Sequence, residues 1–243
     1  MRKVALVAST LLVLGGTASA ADLPFQPAPA FLPALAPTWT GFYVGLNGGG
    51  GIGTGTSDFS IDGGPAFASV KNSMSGAIGG GQLGYNWQAG PVIFGVETDF
   101  QGSSVKGTLT APCLPALCAL PLSASYSQEL SWFGTARGRI GYASAGWLLY
   151  ATAGYAYGQV KTNASASAGP ATVGLEITEN RNGWTAGGGI QVEFAPRWTA
   201  KVEYLFVDLG EVNHSFVFPG VATINDTTRM TVNVARAGVN FRF

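Results

Sequence analysis

The feature that most restricts this chain is a period of two. From Trp39 to Phe243 apolar and polar residues alternate in segment after segment, as they do in a strand whose two faces meet different surroundings. In Trp184 to Phe194, Trp184, Ala186, Gly188, Ile190, Val192 and Phe194 take one face, and Thr185, Gly187, Gly189, Gln191 and Glu193 the other. Trp198 to Phe206, Val92 to Gln101 and Ala235 to Phe243 repeat the pattern. Ser75 to Gln88, Ser131 to Tyr142 and Trp147 to Val160 follow it less regularly. Trp39 to Gly50 is ambiguous in phase. In Met230 to Val234 the apolar residues fall on the polar face, which predicts a bulge.

Composition agrees with strands and excludes other classes. Of 243 residues 36 are Gly, and interior glycine costs a helix roughly 1 kcal/mol relative to Ala. With 47% hydrophobic residues the chain has ample surface to bury, which argues against disorder. Thirteen basic residues balance thirteen acidic ones, so the excess that nucleic acid requires is missing.

Residues 1–20 read as a secretory signal: Arg2 and Lys3, an apolar run from Val4 to Leu14, then Ala18-Ser19-Ala20, with cleavage expected between Ala20 and Ala21. Residues 21–38 carry Pro24, Pro27, Pro29, Pro33 and Pro37 and read as an extended periplasmic tether. Residues 39–243 remain for one β domain of eight strands.

The connections sort into two kinds. Ala89-Gly90, Ser144 to Gly146 and Ala195 to Arg197 are tight turns, whereas Ile52 to Ser73, Lys106 to Tyr126, Lys161 to Thr178 and Glu211 to Thr227 are long. Strict alternation of long and short is the layout of a membrane barrel with short periplasmic turns and long external loops. Trp39, Trp87, Trp147, Trp198 and Phe243 fall at the short-turn ends, and Trp132 and Trp184 at the long-loop ends, as two aromatic girdles require.

The run Trp39-Thr40-Gly41-Phe42-Tyr43-Val44-Gly45 with Gly48 to Gly51 resembles the first strand of the small outer-membrane β-barrel proteins of Gram-negative bacteria, the immunogenic porin-like group. Phe94-Gly95-Val96-Glu97, Thr135 to Tyr142, Glu203-Tyr204, Asp208-Leu209-Gly210 and the ending Arg236 to Phe243 resemble it too. The resemblance implies an eight-stranded antiparallel up-and-down transmembrane barrel in the outer membrane, and a terminal Phe243 read by the barrel-insertion machinery. It implies no single activity.

If the apolar sets face lipid, the lumen receives Glu97, Asp99, Arg137, Arg139, Glu193, Lys201, Glu203, Arg236 and Arg242. An eight-stranded lumen is just wide enough for side chains to fill, so these charges are expected to pair with one another rather than form an ion-selective constriction. Gly76, Gly80, Gly84, Gly95, Gly187, Gly189 and Gly238 would make room for them, while Gly79, Gly81, Gly134 and Gly138 would face lipid.

Other motifs carry less. Gly48, Gly50 and Gly53 match a dinucleotide-loop spacing, but no helical period follows. Cys113 and Cys118 are expected to form a disulfide stiffening the second long loop, because exported compartments are oxidising. Two thiols and a distant His214 do not make a metal site. Ser215 beside His214 would point to the opposite face, which places a nucleophile and base poorly.

The favoured expectation is a non-enzymatic, cofactor-free outer-membrane barrel that contributes to envelope integrity. Its partners would be outer-membrane lipid, the insertion machinery, and host or envelope molecules at the loops. The alternatives are a narrow porin for small hydrophilic solutes and, on His214 alone, a barrel enzyme or haemin binder.

Overall fold

The computed structural model describes residues 38–112, 122–168, 171–218 and 222–243. The expected signal, its cleavage site, the proline-rich residues through 37, and Cys113 and Cys118 lie outside them. Eight strands follow one another: β1 Gly41–Ile61, β2 Ala66–Ala89, β3 Val92–Pro112, β4 Leu122–Ser144, β5 Trp147–Ala168, β6 Ala171–Ala195, β7 Trp198–Phe218 and β8 Ala222–Arg242. Each pairs antiparallel with its neighbours, and β1 closes on β8 in unbroken register from Tyr43↔Arg242 to Ile61↔Ile224. Closure pairs every strand edge, as an environment without water demands.

The three tight turns stand where the sequence puts them. Gly90, Ala145, Gly146 and Arg197 adopt positive φ there (62°, 48°, 84° and 68°), the backbone hand that two-residue hairpin loops need. At the other end the long loops are largely replaced by strand. β1 and β2 are joined by residues 62–65 alone, and the remaining three long segments are mostly extensions of the strands that flank them. Small polar residues such as Thr54 to Ser57 and Ser165 to Ser167 hide this from a pattern search, because neither face there is apolar. Strands of 21 to 25 residues give a wall roughly 50 Å tall at ordinary rise and tilt, about twice the apolar band of an outer membrane.

Two belts of rings bracket that band. Trp87, Tyr142, Trp147, Phe194, Trp198 and Phe243 lie exposed at the short-turn rim. Phe100 stacks on Trp132 at 5.4 Å, Trp132 meets Tyr157 at 6.1 Å, and Trp184 meets Phe206 at 5.3 Å at the outer one. Trp39 is the exception to the expected girdle. It precedes β1, so strand alternation does not govern it; Gly41, at φ 137°, turns the chain and the indole lies buried beneath the barrel with Ile93, Leu148 and Tyr150. The Arg242 guanidinium sits 4.7 Å from its ring centroid.

The β8 segment needs no phase change. Met230, Val232, Val234 and Arg236 all point inward in continuous alternation, because the lumen itself turns apolar above the charges. The irregularity is on β7, where the β7–β8 register shifts between Asp208 and Glu211. Gly210 stands at φ 72° and donates its N–H to Asp208 Oδ1 at 2.9 Å. A Cβ there would also come within 2.7 Å of Asn182 O. Gly210→Val should therefore destabilise the barrel by about 1–2 kcal/mol, read as a lower urea midpoint in phospholipid vesicles. Gly138→Ala, whose Cβ would have 3.9 Å to its nearest neighbour, should leave that midpoint within about 0.5 kcal/mol of wild type.

Candidate functional site

Buried polar side chains collect in the lumen, and strand register determines what meets there. Glu97 and Asp99 come from β3, Arg137 and Arg139 from β4, Lys201 and Glu203 from β7, and Arg236 from β8. Glu97 lies directly opposite Arg137 across the β3–β4 ladder, and Glu203 opposite Arg236 across β7–β8. The two pairs then join across the lumen. Arg137 bonds to Glu97, reaches Asp99 Oδ2 at 2.9 Å and donates to Glu203 Oε1 at 3.1 Å. Arg236 donates to Glu203 Oε2 from Nε at 2.7 Å and to Asp99 Oδ2 from Nη2 at 2.8 Å. Lys201 Nζ donates to both oxygens of Glu97, at 3.1 and 3.2 Å. All seven residues are at most 5% exposed. Removing one member leaves buried partners uncompensated, which costs about 3–5 kcal/mol.

Two tyrosines that the sequence reading missed complete the network. Tyr43 donates to Glu97 Oε2 at 2.8 Å and accepts from Arg139 Nη1 at 2.9 Å. Tyr150 donates to Glu203 Oε1 at 3.0 Å, with the Arg139 guanidinium 3.9 Å from its ring centroid. Each ring lies over a glycine directly across the ladder, Tyr43 over Gly84 and Tyr150 over Gly189. A Cβ on those glycines would approach the tyrosine hydroxyls to 2.2 and 2.7 Å. Bare backbone on one strand thus admits a ring from the next. The missed signal was the inward phase of Tyr43 and Tyr150, masked because Phe42, Val44 and Leu149 beside them are also apolar. Thr135, which donates to Asp99 Oδ2 at 2.9 Å, and Gln191, which accepts from Arg139 Nη2 at 3.2 Å, were missed as uncharged.

Glu193 and Arg242 bond to each other apart from this cluster, at the short-turn end, where Arg242 Nη1 also donates to Thr38 O at 2.6 Å. Above the cluster the lumen is packed with apolar side chains, among them Met74, Val105, Leu130, Phe133, Leu205 and Val232. A second polar level follows toward the outer rim. Arg181 donates to Glu179 at 3.1 Å, and the Ser57 and Thr228 hydroxyls lie 3.0 Å apart. Phe243, just past the end of β8, is 69% exposed on the outside face and donates its N–H to Phe42 O at 3.0 Å. His214 lies on β7 across the ladder from Asp226, far along the strand from the charged cluster.

With that geometry in view, the model of the outer membrane protein beta-barrel domain matches residues 8–243. The chain belongs to that family. It is 33% identical to the 31 kDa outer-membrane immunogenic protein of Brucella melitensis biotype 1 over 99% of this chain and 100% of the relative. It is 30% identical to a 22 kDa outer membrane protein of Rhizobium leguminosarum bv. viciae over 71% of this chain and 65% of that one. Among solved structures, OprG from Pseudomonas aeruginosa shares the fold: TM-score 0.51 at 12% identity, covering 84% of this chain and 97% of OprG. This family member is therefore an integral protein of the outer membrane.

Arg137 touches all three carboxylates of the cluster. Arg137→Ala should lower stability by about 3–5 kcal/mol, measured as the temperature at which the compact, fast-migrating form in a detergent gel converts to the unfolded one.

Proposed function

We propose that this outer-membrane protein is a sealed, non-enzymatic barrel that contributes to envelope integrity and presents its outer rim to the surroundings. The observation that carries this reading is the lumen, closed at successive levels by different chemistry. Trp39 and the Glu193–Arg242 pair cover the short-turn end, the charged cluster fills the middle, and the apolar layer packs above it. Charges engaged with one another offer a passing ion little, and an apolar layer excludes its hydration shell. The porin alternative needs a hydrated path through both.

Presentation then falls to the strand extensions above the outer girdle and the connections at their ends. There Asp208, Arg229 and Glu211 form a charged group on the outer wall, Arg229 reaching Asp208 at 2.5 Å and Glu211 at 3.5 Å. Relatives named as immunogenic outer-membrane proteins fit such a surface. The outward ring of Phe243 suits reading by the insertion machinery, and partners at the outer rim would be host or envelope molecules.

Purified protein in planar bilayers should show no discrete conductance steps. Arg137→Ala should stay silent as well, because the apolar layer remains when the charged one is damaged. Regular steps from wild-type protein would establish the porin reading instead.

A further inference from the structure

The charged cluster does not balance. Four cations, Arg137, Arg139, Lys201 and Arg236, meet three anions, Glu97, Asp99 and Glu203, with side-chain exposures of 0–2%. Arg242 with Glu193 below, and Arg181 with Glu179 above, each form a neutral pair and supply no compensation. Counted at their formal charges, the described residues in the middle of the lumen thus hold one cation more than they hold carboxylates. An uncompensated charge in such surroundings carries a large desolvation cost.

Several buried donors lack a partner among the described residues, the amides of Asn86, Gln128 and Asn240 included, and two of them bear on the charge excess. Arg236 Nη1 and Gln101 Nε2 have no hydrogen-bond partner among the described residues, and Arg236 and Gln101 are 2% and 0% exposed. Asp99 is common to both. Arg236 crosses to Asp99 at 2.8 Å, and Gln101 follows Asp99 by two positions on the inward face of β3, its amide oxygen over Gly80. Arg139 Nε is also unpartnered, but its guanidinium lies beside the Tyr43 and Tyr150 rings, whose faces repel negative charge. Asp99 Oδ1 and Gln101 Oε1 are unpartnered acceptors, which a water would join and an anion would avoid.

We propose that the barrel encloses one small monovalent anion of the halide class, held by Arg236 Nη1 and Gln101 Nε2 and trapped beneath the apolar layer as the wall closes. Its role is to complete the charge balance of the lumen, not to pass through it.

The test compares wild-type barrel unfolding in zwitterionic detergent in sodium chloride and in sodium gluconate at equal ionic strength, gluconate being too large to be enclosed. Above the dissociation constant, each tenfold rise in chloride should raise the folding equilibrium constant about tenfold, with no such slope in gluconate. Lys201→Met leaves three cations with three anions, and Gln101→Glu supplies a carboxylate at the site itself; each should abolish the chloride slope. Crystals grown in bromide should show an anomalous peak beside Arg236. Equal stability in chloride and gluconate would overturn the proposal and leave water as the bridge. A chloride slope surviving in Gln101→Glu would also overturn it, and that variant decides the matter if Lys201→Met does not fold.

Discussion

In an eight-stranded lumen there is no room for a charge to keep its water. Everything else inside this barrel follows from that. A wall exposed to hydrocarbon must turn its polar side chains inward, yet the inner space is only wide enough for side chains to fill it. The charges must therefore solvate one another, and here they do so through direct ladder neighbours, Glu97 with Arg137 and Glu203 with Arg236, bridged across the lumen. Pairing across a ladder fixes register, because sliding β3 past β4 by one residue would send Glu97 into lipid. The cluster is thus a device for selecting one register as much as a source of stability.

The same narrowness explains the glycines. Side chains that cross the lumen need bare backbone on the far wall, and β1 provides it. Gln128 from β4 reaches so far that a Cβ on Gly55 would lie 2.2 Å from its Oε1, and Val105 would lie 3.0 Å from one on Gly51. On the lipid side the account differs. Gly134 lies under the ring of Tyr157, its cross-ladder neighbour, which a Cβ would approach to 2.5 Å. Gly79, Gly81 and Gly138 have only ordinary contacts at 3.5–3.9 Å. Gly79 faces Gly48 across the β1–β2 ladder and Gly48 faces Ala237 across β1–β8, so that part of the wall is thin, with Leu46 exposed to lipid beside it.

How much of this was legible depends on where two faces meet unlike surroundings. Between the girdles they do, and Trp184 to Phe194 or Trp198 to Phe206 announced both strand and orientation. Phase alone puts nine charged residues inward, and the structure gathers seven of them into one cluster. The signal failed where the contrast vanished. Met230, Val232 and Val234 looked misplaced because the lumen is apolar there, so inside and outside ask for the same residues. Thr54 to Ser57 looked like loop because above the membrane neither face asks for apolar ones. Trp39 looked like girdle because a tryptophan at a strand end carries no mark of whether the strand has begun. Which carboxylate meets which cation across the lumen was never a local property, since it depends on strand number and stagger together.

A lumen occupied in this way changes where function can reside. Its two inner layers fail by different routes: the charged one by losing a partner, the apolar one by losing volume, and a single substitution damages only one. Both layers are built from residues buried inside the wall. The outer part of the wall takes no part in the charged cluster; small polar residues such as Thr54 to Ser57 stand there beside exposed Ile61, Val70, Leu109 and Leu175 and the Asp208, Arg229 and Glu211 group. Strand pairing continues into this part and holds its residues in register, so under the proposed function a partner at the rim would meet a surface whose geometry the barrel sets. On the proposed function, recognition would diverge at the rim while the fold below it stays the same.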